Sequence, residues 1–578
     1  VLAAGGLWAA AFALLCARKF YERLYTDFDL AIFSQALFGA LRGRWFSSIR
    51  GMYWLGDHSS LALLGLAPFA ALWNSPVLLL AAQAAALAAS AAPLFAYARR
   101  RLGDEPAAAM ITVVGLLQPS LAYLALFEFH PETFATPLLL AVAAALAARR
   151  SRAALLLAAL AALAKEDVAL PIAVMGAVSA LRAPHGQRAS GFALVAVAAS
   201  SLVLSFAVLK PSLAHGEADY GAMYGAWGRT PGAVLLALLR HPLAALAAFV
   251  HTPGGPVDSL AKTQLWLHLF GPVLGLPLLA PMALLPALPV FAEHLLSSRI
   301  EQHTIVFQYT ALTLPFVLLA TVDAAAHFAR GHSTPALLRG RLALLLAAAL
   351  LSQALFGPFA PDSPLRSVPP TEHTWPDGRD RAQAAWRRAF EAALPAHGVL
   401  VADFTSLAPL ARRDSLHSLH HIAAGRYTFS SRPYPAPPHV AGMLMELSRL
   451  SENDEIDEAG LERVRAFVAS RGLHVTDAAG DLVRLAPGRD SLAWLLPTVA
   501  ERAPVAYDRA IACVGARLLA REVAPGGRLA VATRWRRLAA LPGLALVQWS
   551  ASDARDSLRE DPPRLLGAGL SDPASWRE

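Results

Sequence analysis

The sequence predicts a mostly α-helical, polytopic membrane protein with a soluble C-terminal region, and three observations predict it. Apolar residues make up 56% of the chain and charged residues 16%, with a mean hydropathy of +0.44. A soluble protein of this size carries about a quarter charged residues. Ala/Leu/Val runs recur from residue 1 to about 358, and several approach the roughly 20 residues that carry a helix across a bilayer. Beyond residue 360 the sequence turns to a soluble type containing Arg, Asp and Pro.

The basic residues orient the runs. The net charge of +8 comes with arginines gathered in short loops: "RRR" at 99–101, "RRSR" at 149–152, "RAPHGQR" at 182–188 and "ARGHSTPALLRGR" at 329–341. That pattern marks cytoplasmic loops and gives no reason to expect a nucleic-acid partner. Residues 1–17 read as a first span, because no small-residue cleavage site leads into a soluble domain. Further spans follow at 76–98, 106–126, 134–148, 191–210, 305–328 and 341–358, with a hairpin at 262–278 and 280–297. The stretch 153–182 is expected to cross twice, hinged at "KED". The total is about eleven spans, with the N-terminus inside and everything after 360 outside. "HSSLALLGLAPFAALW" (58–73) would invert the arginines if it crossed, so it reads as an interfacial helix inside a long first outer loop, 18–75. Cys16 and Cys513 are too far apart in sequence to suggest a disulfide framework.

With this threading, five turns bearing acids or histidines fall on the outer face. Asp27 and Asp29 in "TDFD" supply a general base with a supporting acid, or simply cap the helix that follows. "GDH" adds Asp57 and His58. "FEFHPE" places Glu128, His130 and Glu132 at alternate positions, on one face if extended. That arrangement suits proton transfer; alternatively it is a solvated loop with aromatic anchors. "KED" sets Lys165, Glu166 and Asp167 inside an apolar run, where they face water or one another. "EQHTIVFQY" contributes His303, Gln308 and Tyr309. The chain has no Walker loop, no CxxC and no HExxH, so ATP-driven and zincin-type chemistry has no support.

The segments "YTDFDLAIFSQALFGALRG", "GDHSSLALLGLAPFAALW", "LFEFHPETFATPLLL", "LAKEDVAL" and "QHTIVFQYTALTLPFVLLA", in order over residues 20–320, resemble a bacterial family of polytopic membrane proteins catalogued as domain of unknown function 2079. That family in turn looks like the GT-C superfamily of membrane glycosyltransferases. The resemblance implies a GT-C-like core at 1–360 in the bacterial inner membrane. It also implies a sugar taken from a polyprenyl-phosphate donor and passed to an envelope glycan or lipid acceptor on the extracytoplasmic face, with inversion. Asp29, with Asp27, corresponds to the catalytic acid of the first loop, and Glu128 and His130 to the second acidic loop. Asp57, His58, Glu132, Lys165, Glu166, Asp167, His303, Gln308 and Tyr309 are then expected to bind substrate, with Lys165, His303 or Arg50 stabilising the leaving phosphate. A divalent metal held by Asp29, Glu128 or Glu132 is compatible with the resemblance and not required by it. The alternatives are a transporter or flippase for a lipid-linked or small polar solute, and an inactive envelope scaffold.

The C-terminal third divides into a soluble α/β module at 361–490 and a β-rich region at 491–578 that reads as part of a β-sandwich. "HSLHH" (417–421) fits no metal-ligand spacing and reads as a solvated loop.

Overall fold

The computed structural model describes residues 1–182, 188–213, 219–252, 255–330, 334–360, 365, 378–446, 458–479 and 482–488, with short strands between 505 and 565. The chain divides into two units. The first holds Val1–Arg381 with Ala408–Asp414 and Thr428–Ser430; the second holds the remainder.

The first unit is helical. Helix α1 (Leu2–Tyr21) places Arg18 and Lys19 in its last turn, where cations complement the helix dipole. Helix α2 (Asp29–Ala40) begins eight residues later, and the hairpin β1 (Phe46–Ser47) and β2 (Met52–Tyr53) follows it. The apolar stretch after Asp57 forms only a short helical run, Leu61–Leu66 and Ala67–Leu72. Helix α3 (Val77–Leu102) ends on the arginine triplet and stops at Gly103, whose φ of 66° lies in the left-handed region that glycine adopts freely. The Asp104 side chain caps the next helix by accepting from the Ala107 amide at 2.8 Å. Pro119 then breaks that run, bending Glu105–Leu116 against Pro119–Leu126 by 49°.

Four helices among the described residues are long and apolar enough to cross a membrane, or up to six if each bent pair forms one span. The expected count of about eleven therefore exceeds what helix length gives. Prolines account for part of the difference. The expected hairpin at 262–297 is one helix, Pro256–Phe270, followed by short turns punctuated by Pro272, Pro277, Pro281 and Pro286 before Leu288–Leu295. At 153–182 the break falls at "KED", between Ser151–Ala162 and helix α4 (Ala169–Arg182). Helix α4 packs closely on α5 (Arg188–Leu213) through glycines. A Cβ on Gly191 would sit 2.7 Å from the Ala180 Cα, and one on Gly176 would sit 2.8 Å from the Gly191 carbonyl oxygen. Small residues at a crossing let two backbones approach in this way.

The second unit carries a five-stranded mixed sheet. Its strands are β3 (Leu400–Ala402), β4 (Leu416–Ser418), β5 (Gly442–Glu446), β6 (Leu473–Ala479) and β7 (Leu482–Pro487), in the order β4-β3-β5-β7-β6. The β3 strand runs parallel to β4 and β5, whereas β7 is antiparallel to β5 and β6. Helix Glu458–Ser470 buries Leu461, Val464 and Phe467 against Val401, Met443, Met445 and Leu485. Of the "HSLHH" run, read as a solvated loop, His420 and His421 are buried in helix Leu419–Ala424; the apolar neighbours Leu419 and Ile422 carry that helix into the core. In the β-rich region, strands Ile511–Leu518 and Val531–Arg537 pair antiparallel, and most of its other residues lie outside the described ones.

Gly191→Val forces two helix backbones apart and should cost about 1–3 kcal/mol, the usual range for overpacking. Gly6→Val, at a position with nothing within 4 Å, should cost nothing measurable. Thermal unfolding of the two variants in detergent distinguishes them, and equal Tm values would contradict the close crossing.

Candidate functional site

Polar side chains that are far apart in sequence meet at the start of α2. No side chain caps this helix from its own N-cap residue, Phe28. The buried carboxylate of Glu128 does so instead: Oε1 accepts from the Asp27 amide at 3.0 Å and Oε2 from the Leu30 amide at 2.6 Å. An ionised acid at a helix N-terminus satisfies orphan N–H groups and gains from the dipole. Asp27 accepts from the neighbouring Phe28 amide at 2.8 Å. The backbone around Glu128 is fixed in turn by Gln83, a fully buried amide in α3. Its Nε2 donates to the Leu124 carbonyl at 2.8 Å, and its Oε1 accepts from the His130 amide at 2.8 Å.

This framework brings Asp29 against His130, with Nε2 3.0 Å from Asp29 Oδ2. The other ring nitrogen, Nδ1, lies 3.0 Å from the Glu128 carbonyl oxygen. A carbonyl only accepts, so Nδ1 carries a proton. The Nε2–Asp29 contact then needs a second proton, which makes the pair imidazolium and carboxylate or its neutral equivalent. Burial raises the Asp29 carboxyl, but the His130 hydrogen bond and charge outweigh it and hold Asp29 below the usual carboxylate range. Burial opposes the His130 cation, and the bond and charge of Asp29 raise its pKa above the ordinary value. Both directions favour the charged pair. Asp29 keeps 28% of its side chain exposed while His130 keeps 5%, so the carboxylate is the member that faces outward.

Three more ion-paired groups stand within electrostatic range of this pair. Asp57 takes a two-point contact from Arg50, with Nε to Oδ2 at 2.7 Å and Nη2 to Oδ1 at 3.3 Å, and accepts from the Tyr220 hydroxyl. Burial works against the Asp57 carboxylate, yet the Arg50 charge keeps it well below the usual range. Glu166 accepts from Lys210 at 2.8 Å and from the Ser59 amide at 3.0 Å, and meets His58 Nδ1 at 3.1 Å. Lys165 contacts Glu132 Oε1 and Asp167 Oδ2, both at 3.1 Å. Burial lowers the Lys165 ammonium, and the charges of Asp167 and Glu132 raise it well above its ordinary value. The charges of His58 and Asp57 are felt at Asp29, and those of His130 and His58 at Glu132.

The turn at 301–309 divides. Tyr309 is within electrostatic range of Arg299, Lys165 and Asp29, and Phe307 packs edge-on against Phe127 at 5.0 Å. Gln308 Oε1 is buried without a hydrogen-bond partner. His303 points elsewhere: its Nδ1 meets Asp258 and its Nε2 donates to the His294 carbonyl at 3.0 Å. Among the described residues no three His, Cys, Asp or Glu side chains are placed to hold a metal ion. The acids considered as metal ligands are otherwise engaged, Asp29 by His130, Glu128 by amides and Glu132 by Lys165.

Sequence reasoning missed Gln83, Lys210, Tyr220 and Arg299. Gln83 has a signal, being a lone polar residue in the run "VLLLAAQAAALAA". Lys210 sits where an apolar run ends, and Tyr220 and Arg299 have no comparable mark.

Helices that can span a membrane, with ionised groups gathered where the helices begin and end, define a polytopic membrane protein with a buried polar site. The family model described as "Predicted membrane protein (DUF2079)" matches residues 20–420, and the chain belongs to that family. No curated protein matches it. Among solved structures, the crystal structure of ArnT from Cupriavidus metallidurans bound to undecaprenyl phosphate is similar over 84% of this chain and 99% of that one, at 12% identity and a TM-score of 0.43.

The Asp29–His130 pair gives stability a defined pH window. A depressed Asp contributes above its ordinary value of 3.8 and loses that contribution as pH falls through its folded value. A raised His contributes fully below its ordinary value of 6.5 and loses it as pH rises through its folded value. The Tm advantage of wild type over His130→Gln should therefore be greatest between those two ordinary values and shrink on both sides. A difference that grows with rising alkalinity would contradict the charged pair.

Proposed function

We propose that the chain is a membrane glycosyltransferase. It moves a sugar from a polyprenyl-phosphate donor to an envelope acceptor on the extracytoplasmic face of the bacterial inner membrane, inverting the anomeric centre. The observation that carries this reading is Asp29: a partly exposed carboxylate just beyond the first apolar helix, locked in place by His130. The anomeric carbon of a lipid-linked sugar phosphate lies at the bilayer surface, so groups acting on it must gather at helix ends. The order of the turns, an acid after the first span and a second acid-bearing turn after the third, is that of the GT-C superfamily which the sequence resembles.

In the proposed reaction the acceptor hydroxyl donates a hydrogen bond to Asp29. Its oxygen attacks the anomeric carbon opposite the phosphate, the sugar–phosphate C–O bond breaks, and the electron pair leaves with the phosphate oxygen. The hydroxyl becomes acidic as the new bond forms, so a weakly basic but well-oriented carboxylate can take its proton late. His130 holds Asp29 ionised and oriented. Of the cations first considered for the departing phosphate, Arg50, Lys165 and His303 are bound to Asp57, to Glu132 and Asp167, and to Asp258. Arg299 fits that role better: it too pairs with a carboxylate, Glu301 at 3.3 Å, but 32% of its side chain is exposed, and it lies over the Phe429 ring at 4.9 Å and within range of Asp29.

Purified protein in nanodiscs, offered a panel of radiolabelled prenyl-phosphate sugars, tests the proposal. Asp29→Asn should lower transfer by about 10²–10⁴-fold, the usual contribution of a positioned base. Arg299→Ala should lower it with Asp29 intact. The absence of transfer from the whole panel, or equal transfer by Asp29→Asn, would overturn the assignment.

A further inference from the structure

An arginine that must meet a phosphate gains from being oriented beforehand, because its side chain otherwise loses rotamer freedom on binding. Arg299 has a support of this kind. Its guanidinium carbon lies 4.9 Å from the centroid of the Phe429 ring. That contact covers the face of the guanidinium and leaves its N–H donors, which lie in the plane, at the edge. Glu301 takes the Nε–H at 3.3 Å, and neither Nη donates a hydrogen bond among the described residues. The edge that suits a two-point contact with phosphate is therefore open.

Phe429 is itself fixed from several sides. It lies in Thr428–Ser430, a segment from far along the chain that packs with the first unit. The Asp219 amide donates to the Phe429 carbonyl at 2.6 Å, and Arg50 Nη1 donates to the Thr428 carbonyl at 3.4 Å. The Phe429 ring packs on Tyr220 with centroids 5.4 Å apart. Tyr220 in turn has the Lys210 ammonium 5.4 Å from its centroid and donates to Asp57. The turn that carries Arg299 is tied to the same place, since the Ser298 amide donates to the Met223 carbonyl at 2.9 Å.

The backbone at Phe429 is strained, with a φ of 55° in the left-handed region. A bulky residue enters that region only where its surroundings over-determine it, and such strain gathers at ligand-binding positions. Glycine or asparagine would meet the same backbone geometry at lower cost. What the position uses is the ring.

We infer that Phe429 is a positioning residue for phosphate recognition: its ring holds the Arg299 guanidinium face-on, so that the Nη edge meets a prenyl phosphate already oriented. The inference rests on Arg299 holding the departing phosphate of the proposed reaction, and it adds the residue that sets the geometry of that contact. Phe429 acts through Arg299 and not on the sugar.

Binding reads this without turnover. Full-length protein in phosphatidylcholine nanodiscs is titrated with farnesyl phosphate, and separately with farnesol as the uncharged control, following thermal unfolding. Wild type should show a saturable rise in unfolding temperature beyond that given by farnesol, and Arg299→Ala should abolish it. Phe429→Leu and Phe429→Met keep an apolar side chain and lose the π face. Each should raise the half-saturating concentration about three- to tenfold, the scale of a partly exposed cation–π contact. Phe429→Tyr and Phe429→Trp restore a ring and should bind as wild type does. If farnesyl phosphate gives no extra rise, or if Arg299→Ala responds as wild type does, the phosphate role of Arg299 fails and this inference fails with it. If Arg299→Ala loses the response while Phe429→Leu and Phe429→Met keep wild-type affinity, the inference alone is overturned. A lowered ligand-free unfolding temperature with unchanged affinity would likewise reduce the ring to packing.

Discussion

The carboxylate of Glu128 determines where the rest of the site can be. It reaches back to two amides at the start of α2, 101 and 98 residues earlier in the chain. A buried carboxylate cannot be left without donors, and the first turn of a helix cannot be left without acceptors. Each need is met by the other. Because both oxygens are used, the contact fixes the rotation of α2 as well as its position, and that sets the direction of Asp29. Gln83 does the corresponding work from the other side by holding the backbone on which Glu128 and His130 ride. The orientation of Asp29, the proposed base, therefore depends on Glu128 and Gln83.

A second constraint comes from burying so many ionised groups in an apolar protein. Removing a charge from water costs several kcal/mol unless it is paired and hydrogen-bonded. The response here is local: Asp57 has Arg50, Glu166 has Lys210, Lys165 has Glu132 and Asp167, and Asp29 has His130. Pairs of this kind are costly to break one partner at a time, so they fix a geometry more than they add stability. Asp167 Oδ1 and Glu293 Oε2 are buried without a hydrogen-bond partner. Burial raises the Asp167 carboxyl, Lys165 opposes this, and the charges of Glu132 and Glu166 raise it further, leaving it above the ordinary carboxylate value.

Much of this arrangement was legible in the sequence, for a physical reason. Ionisable residues in an apolar chain stand out, and "TDFD", "GDH", "FEFHPE" and "KED" were visible as the places where charge had to be accommodated. Their partners were harder to see. Lys210 and Arg299 look like ordinary flanking cations, and Tyr220 falls in a connecting segment with no periodicity. The roles within each motif were also hidden: Glu128 and His130 are two residues apart, yet one binds backbone and the other binds Asp29. His303 lies close in sequence to Tyr309 and binds Asp258 instead, a pairing that spacing cannot reveal. Counting apolar runs and counting long helices give different totals where prolines interrupt the runs, because hydropathy measures composition and not helix continuity.

The first loop and the turn after Leu126 are held in contact, and a chemical cross-link measures that contact directly. In a background of Cys16→Ser and Cys513→Ser, the pair Asp29→Cys and His130→Cys places thiols where Oδ2 and Nε2 now lie 3.0 Å apart. A short bifunctional thiol reagent should join them within one chain in native membranes, and should join the pair Asp29→Cys and His303→Cys poorly. Two reactive thiols at 29 and 130 that never cross-link would contradict the account.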